Sequence, residues 1–343
     1  MMKKFKKTSG IKVGVIGYGG AFNMGKSHLK EMQAAGMTPV AVAEIDASRL
    51  EVATRDFPGI ETYQSVAQML KKSDVNLITI ITPHNTHAKL GLQCLKAGKS
   101  VCCEKPLAIT TEECDAMINE AKKRKLVLST YHNRHWDGCI QEAVHLIKKK
   151  KMIGDVYKVT AHMGGYGQPG DWWRSSKSIS GGVNYDWGVH LLEYSLQIID
   201  GDITEVSGFN HEGFWKTKWK KDTTEDEGFI VTRFNNGKWL TLTNTSLDSR
   251  NRDCIVEFTG TKGSYLMSGG TYEIIQKIDG QTITTKGRNR RSESVKYYKN
   301  IADHLVKDKA LIITPEWSRR PIHILDLGCK SAKKGVALKA KYK

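Results

Sequence analysis

The strongest constraint on this chain is an alternation that runs from residue 11 to about residue 130. Mostly apolar stretches, "IKVGVIGYG" (11–19), "TPVAVAEID" (38–46), "NLITIITP" (76–83), "SVCCEKP" (100–106) and "LVLSTYH" (126–132), alternate with segments of helical spacing. The latter are "KSHLKEMQAAG" (26–36), "ASRLEVATRDF" (47–57), "THAKLGLQCLKAG" (86–98) and "TTEECDAMINEAKKRK" (110–125). Strands without a polar face must be covered on both sides, which predicts a doubly wound parallel sheet. Leu50, Val52 and Ala53 are expected to face inward on their helix, and a Thr cap with acids behind it opens the segment from 110. Such sheets bind ligands at the carboxyl ends of their strands.

Beyond about residue 135 the texture changes. A helix, "GCIQEAVHLIKKKK" (138–151), leads into "GDVYKVTAHMGGYG" (154–167), which alternates apolar and polar residues. Between 203 and 286 come "EVSGFNHEGF", "DEGFIVTRF", "KWLTLTNTSL", "CIVEFTG", "GSYLMSG", "YEIIQKID" and "QTITTK". These predict a large, mostly antiparallel open sheet with one face wet or turned to a partner. The expected layout is a basic tail (1–10), a first domain (11–132), a second α/β domain (133–325), and a closing segment with a basic tail (326–343). Directly apposed domains place a ligand in the cleft between them.

Charge and cysteine usage exclude several classes. The formal net charge is +17, carried by lysine clusters scattered from the first residues to the last. No aromatic-interleaved or groove-reading element accompanies them, so a solvated surface is the reading and nucleic acid is not an expected partner. No apolar run approaches the ~20 residues of a membrane span. The opening "MMKKFKKTSGIKVGVIGYGG" places basic residues before an apolar stretch. Lys12 and the glycines interrupt that stretch, so it reads as a tail entering a strand. Seven cysteines occur without any Cys-x-x-Cys pair. That argues for a reducing cytoplasm, and against a disulfide scaffold or a zinc site; no metal is expected. Adjacent Cys102 and Cys103 point to opposite faces of a strand as small core residues.

"VGVIGYGGAFNMGKSH" links the first strand to the first helix. Gly17, Gly19 and Gly20 suit a tight turn that lets the backbone approach a pyrophosphate at a helix N-terminus. Glu44 ends the second strand, where a carboxylate accepts hydrogen bonds from ribose hydroxyls. Together they predict a dinucleotide-binding, Rossmann-type first domain. Phe22 stands where a third small residue is usual, and "AFNMG" reads as a lengthened loop closing at Gly25; Ala21, Phe22 and Asn23 are therefore counted with the cofactor loop. Glu44 would repel a 2′-phosphate, and Arg49 is the nearest arginine, so NAD is favoured over NADP.

The run "TIITPHNTHAKLGLQCLKAGKSVCCEKPLA", the stretch "SGGVNYDWGVHLLE" (180–193) and the ending "ALIITPEWSRRPIHILDLGCKSAKKGVAL" (310–338) resemble the Gfo/Idh/MocA family of glucose–fructose oxidoreductase, inositol dehydrogenase and the rhizopine catabolism protein MocA. The resemblance covers essentially the whole chain. It implies a Rossmann domain followed by an α/β domain whose open sheet makes a homodimer or homotetramer interface. It also implies a catalytic set of Lys105, Asp186 and His190, with Lys105 often preceding a cis proline. Thr82, Pro83, His84 and His87 match the loop along the nicotinamide side, where Asn is commoner than His84. Glu104 is expected to orient Lys105 or touch the cofactor. "NRHWD" (133–137) resembles a segment with two basic residues, where this chain has Arg134 and His135.

Elementary chemistry points the same way. Asp186 and His190 are four apart on a predicted helix and would share a face. Oxidising a secondary alcohol needs a group to take the hydroxyl proton, and a lysine near a cationic ring or a histidine suits that task. The glycine-rich stretch "GGYGQPGDWWRSSKSISGG" (164–182) offers Trp172, Trp173 and Arg174 to a sugar or cyclitol; Tyr131, His132, Arg134 and Trp136 are expected opposite. The expectation is an NAD(P)-dependent dehydrogenase acting on CH–OH groups of a sugar, cyclitol or related polyol. Two rivals stand beside it. One is an enzyme that retains NAD and uses transient oxidation to epimerise, eliminate or cleave a glycoside. The other is a non-catalytic NAD-binding regulatory protein.

Overall fold

The computed structural model describes residues 5–250 and 252–341; residues 1–4 and 342–343, at the ends of the two expected basic tails, lie outside the described residues. The chain divides into two compact units, one of residues up to His132 with Val295–Arg319, the other of Asn133–Ser294 with the chain from Arg320 onward.

In the first unit, β1 (Lys12–Ile16), α1 (Met24–Ala34), β2 (Thr38–Ala43), α2 (Ala47–Asp56), β3 (Glu61–Tyr63), α3 (Val66–Lys72), β4 (Leu77–Ile80), α4 (His87–Lys96), β5 (Ser100–Cys103), α5 (Thr111–Arg124) and β6 (Leu128–Thr130) follow in order. The six strands are all parallel in the order β3-β2-β1-β4-β5-β6, the Rossmann arrangement. Every residue of β4 and β5 is buried, and Cys102 and Cys103 are both fully enclosed. α5 carries a complete capping box: Thr110 Oγ1 accepts from Glu113 N–H, and Glu113 Oε2 accepts from Thr110 N–H. β3 and α3 escape the sequence reading because β3 is a three-residue edge strand with two exposed positions. α2 flanks that edge, so only Ala53 of its expected inward trio is fully buried.

Two expectations change here. Residues 5–10 are not a frayed tail: Thr8–Gly10 forms one 3₁₀ turn, and Phe5 N–H donates to Leu305 O (3.1 Å). Residues 295–319 lie in the first unit, whereas the sequence reading assigns 133–325 to the second domain. The helix Lys296–Lys307 explains this, because Tyr297 and Tyr298 are buried against the Tyr131 ring, at 5.0 and 5.6 Å between centroids. Two large aromatic side chains leaving water contribute several kcal/mol, about 2–3 each.

The second unit is a nine-stranded sheet. Its strands are β7 (Val156–Gly164), β8 (Ile203–His211), β9 (Glu227–Phe234), β10 (Trp239–Thr245), β11 (Val256–Gly260), β12 (Gly263–Met267), β13 (Thr271–Ile278), β14 (Gln281–Arg288) and β15 (Leu338–Lys339), in the order β14-β13-β12-β11-β7-β10-β9-β8-β15. Only β7 and β10 pair in parallel; all other neighbours are antiparallel. Burial alternates along β9 and β11, as in a sheet with one covered face. The almost wholly buried helix Gly188–Ile198 lies against β7 and β10. The helix Pro315–Lys334 and β15 close the chain where the resembling ending predicts a helix and a strand.

Candidate functional site

In the first unit the chain leaves β1 through Gly17, at φ +99°, where a Cβ would stand 2.2 Å from Ile81 O. No other residue fits that turn. Gly19 has nothing within 4 Å of its would-be Cβ, so the loop is open on that side. Asn23, in the left-handed region, ends the loop and places no side-chain hydrogen bond on the first turn of α1. The N–H groups there stay available to an anion. Gly25 lets α1 approach the turn, since a Cβ would meet Tyr18 Cδ2 at 2.6 Å and Gly17 O at 2.9 Å. This is the lengthened loop read from "AFNMG", and Phe22 is exposed on it.

Glu44 and Arg49 brace the loop from β2 and α2. Glu44 Oε2 accepts from Tyr18 N–H (2.6 Å), while Oε1 accepts from Ile45 and Asp46 N–H (2.7 and 3.1 Å). A carboxylate has room for about four such bonds, so one position remains for a ligand hydroxyl. Arg49 donates from Nε to Tyr18 O (2.9 Å) and from Nη2 to Asn23 Oδ1 (3.3 Å). An open glycine turn, free helix amides and a fixed carboxylate fit a dinucleotide.

The segment after β4 is tied to the segment after β5. Thr82 and Thr86 hydroxyls meet at 2.6 Å, and Thr86 Oγ1 donates to Pro83 O (2.7 Å). His87, wholly buried, sets Nε2 against Thr82 O (2.8 Å) and Nδ1 against Pro106 O (2.7 Å). Burial holds its pKa below the ordinary histidine value against the pull of both carbonyls, of which a neutral ring serves only one. His87 therefore sits beneath the loop as a brace, not along a cofactor face as the sequence reading has it. His84 is also buried. The Lys105–Pro106 peptide is cis. Glu104 Oε2 accepts from Lys105 N–H (2.9 Å) and Oε1 lies 3.0 Å from His28 Nε2. Burial opposes the Glu104 charge, but the His28 hydrogen bond and the neighbouring Lys105 hold its pKa below the usual carboxylate value.

In the second unit the glycines of "SGGVNYDWG" are packing requirements. Gly182 has φ +120° and a would-be Cβ 2.8 Å from Glu225 Oε2, which accepts from Val183 N–H (3.0 Å). Gly188 leaves room for Asn244, whose Nδ2 donates to Asn184 Oδ1 (2.8 Å). The assigned helix starts at Gly188, and Asp186 and Trp187 just ahead of it already have right-handed helical backbone angles, so Asp186 stands one helical turn before His190. Asp186 accepts from Arg174 Nη1 (2.5 Å), and the Arg174 guanidinium lies 5.0 and 5.2 Å from the Trp172 and Trp173 ring centroids. His190, on the first helical turn, meets the Trp187 ring edge-on at 5.7 Å. Arg134 covers that same ring at 4.8 Å and donates to Asp137 Oδ2 (3.0 Å), which also accepts from Tyr194 Oη (2.6 Å). Burial opposes the Arg134 charge, yet Tyr194 and Asp137 hold its pKa above the ordinary value. The unit thus groups Arg134 with Trp187 and His190, and Arg174 with Trp172, Trp173 and Asp186.

Three expected substrate residues are placed differently. Tyr131, His132 and Trp136 are 3%, 1% and 6% exposed. Tyr131 donates to Glu31 Oε2 (2.6 Å) and packs on His28, so it supports the first unit's core. His135 turns to Glu193 Oε1 (2.5 Å) and does not replace the second basic residue beside Arg134. Sequence reasoning missed His28, Asp137, Trp187 and Glu193. All four lie within segments already singled out, but nothing in those segments marked them individually. Among the described residues no three His, Cys, Asp or Glu side chains cluster to hold a metal, and no helix is long and apolar enough to cross a membrane.

Comparison with known proteins agrees with this geometry. Residues 11–132 match the family model for the oxidoreductase family with an NAD-binding Rossmann fold, and residues 140–266 match the GFO/IDH/MocA C-terminal domain. A scyllo-inositol 2-dehydrogenase (NADP⁺) of Bacillus subtilis is 24% identical, covering 97% of each chain. A myo-inositol 2-dehydrogenase of Thermotoga maritima is 26% identical over 74% of each. A solved levoglucosan dehydrogenase in complex with NADH superposes with a TM-score of 0.82 at 19% identity, over 96% of this chain and 99% of that one.

Proposed function

The chain belongs to the Gfo/Idh/MocA family and is an NAD(P)-dependent dehydrogenase, and from that premise we propose that it oxidises or reduces a secondary alcohol of a sugar, cyclitol or related polyol. One observation carries the reading. The Gly17–Gly20 loop, Glu44, the Thr82–His87 segment and Glu104–Lys105 stand at the carboxyl ends of β1, β2, β4 and β5, neighbours in one parallel sheet. That is where such sheets hold dinucleotides. The inositol dehydrogenases among the relatives support the polyol class.

The bound nicotinamide supplies a hydride acceptor or donor. The residues of this chain do the rest. Gly17, Gly19, Gly20 and the start of α1 bind the diphosphate, with Ala21, Phe22 and Asn23 completing the loop. Glu44 takes a ribose hydroxyl, and its carboxylate, together with an Arg49 already committed to Tyr18 and Asn23, favours NAD over NADP. Thr82, Pro83 and His84 line the nicotinamide side. Lys105 and His190 handle the proton of the reacting hydroxyl, with Asp186 orienting His190. Arg134, Trp172, Trp173 and Arg174 select the substrate; ring faces suit the C–H faces of a cyclic polyol.

Seven unbridged cysteines support a reducing, cytoplasmic setting. Exposed Tyr157, Phe209 and Trp239 on the strands of the second sheet support a homodimer or homotetramer through it. The test is absorbance at 340 nm with NAD⁺ or NADP⁺ across inositols, aldoses and sugar acids. A rise that Lys105→Ala abolishes is expected. A flat trace from protein carrying tightly held NAD(H) would move the assignment to the internal redox cycle. A flat trace with no uptake of either cofactor would refute the reading.

A further inference from the structure

A buried polar chain runs through the first unit to the catalytic lysine's turn, and nothing in the sequence announced it. It begins at Thr79 on β4, whose hydroxyl lies 3.0 Å from Tyr298 Oη. Tyr298 Oη lies 2.7 Å from His28 Nδ1, and His28 Nε2 lies 3.0 Å from Glu104 Oε1. Glu104 Oε2 then accepts the Lys105 N–H. Thr79, Tyr298 and His28 are each fully buried. With Glu104 held as a carboxylate, His28 Nε2 must carry the proton between them, while Tyr298 Oη bridges His28 Nδ1 and the Thr79 hydroxyl. Burial pushes the Tyr298 phenol well above its ordinary pKa, so it stays a donor.

We propose that His28, acting through Glu104, is a positioning residue for Lys105, tying the lysine's turn to the helix opened by the glycine loop. The proposal rests on the function assigned to Lys105 above. His28 lies on α1, the helix whose first turn follows the glycine loop, and the tie is a single side chain long. His87 fixes the other side of the same turn at Pro106 O. Glu104 is thus bound by His28 on one oxygen and by the Lys105 amide on the other, and its charge faces Lys105. The titratable groups facing Glu104 are His28 from α1, His87 from α4, and Cys103 and Lys105 beside it in the chain. Without the His28 donor, burial would favour a neutral Glu104. Lys105 would then lose the negative charge beside it and keep only a weaker acceptor for its amide.

The test reads Lys105 directly and needs no substrate. The full chain is labelled briefly with acetic anhydride at constant pH, and acylation of Lys105 is quantified by peptide mass spectrometry. NADH titration of each variant reports the cofactor site. His28→Leu and Glu104→Gln should each raise Lys105 acylation by roughly tenfold, the worth of one charge-assisted hydrogen bond. The double variant should rise no further than either single one. His28→Gln, which keeps a donor near the Nε2 position, should restore the parent rate. Tyr298→Phe removes only a hydroxyl and should move acylation in the same direction by less, so the idea stays testable if His28→Leu does not fold. The NADH affinity of Tyr298→Phe, whose hydroxyl meets His28 and Thr79, should match the parent within about twofold. Unchanged acylation in His28→Leu or, if that chain does not fold, in Tyr298→Phe would overturn the proposal, as would effects that add in the double variant. If wild type fails to bind NADH, the functional reading falls instead, and the labelling still decides the tie.

Discussion

Two glycines two positions apart, Gly17 and Gly19, are expected to answer two different questions. Gly17→Ala places a Cβ 2.2 Å from Ile81 O on a backbone at φ +99°. The left-handed conformation alone costs a non-glycine residue about 1–2 kcal/mol. The contact is with backbone, which cannot rotate aside, and forced overpacking adds about 1–3 kcal/mol. The sum, roughly 2–5 kcal/mol, is a large part of a domain's stability. Gly19→Ala meets nothing within 4 Å, so its stability should stay within about 0.5 kcal/mol. If the open side of Gly19 is where a diphosphate approaches, the added methyl must still weaken NADH by tenfold or more, about 1.4 kcal/mol. The assay pairs hydrogen exchange of β1 and β4 amides with NADH titration. Gly17→Ala should lose protection in both strands and lose binding with it. Gly19→Ala should keep protection and lose binding. A Gly19→Ala protein that binds NADH like the parent would refute the placement of the cofactor on this loop. A Gly17→Ala protein with parental protection would refute the packing argument.

Two further outcomes follow from the first unit. Thr110→Ala removes the acceptor for Glu113 N–H and half of a capping box, and should cost about 1 kcal/mol; exchange of α5 amides in the first turn checks it, and no change there would show the box is idle. Asp303 pairs with Lys307 and Lys309, each at 2.8 Å, and these bonds lower its pKa to about 2 from 3.8. The folded form therefore binds its proton less readily than the unfolded one, so the stabilisation is present above about pH 4 and is lost as pH falls toward 2. Denaturant midpoints taken from pH 5 downward should show a fall in the parent that Asp303→Asn lacks in part; identical curves would refute the assignment.

The sequence made the first sheet legible because its strands are buried on both faces, and a continuous apolar run such as Leu77–Ile80 has no competing interpretation once helices flank it. β3 was illegible for the opposite reason, being three residues long at an edge that water reaches. Gly17 and Gly25 could be read because a turn with no room for a Cβ leaves glycine in the chain. The helical spacing of Asp186 and His190 was legible although the assigned helix starts only at Gly188, because Asp186 and Trp187 already carry right-handed helical backbone angles.

The least legible feature was the return of residues 295–319 to the first unit. Its cause is long-range: Tyr297 and Tyr298 find their partners in Ser129, Tyr131, Thr79 and His28, more than a hundred and fifty residues earlier. Local periodicity describes an amphipathic helix and is silent about which core accepts it. That return also explains how a histidine on α1 acquires a role. His28 alone, on the inner face of α1, reads as a satisfied core residue. With Tyr298 Oη held against Nδ1, its Nε2–H is committed to Glu104, and a packing residue becomes part of the support for the lysine turn. The site is therefore readable in sequence at the residues that would touch ligands, and unreadable at those that hold them. The first kind is fixed by chemistry at a strand end; the second is fixed by whichever segment happens to close the core.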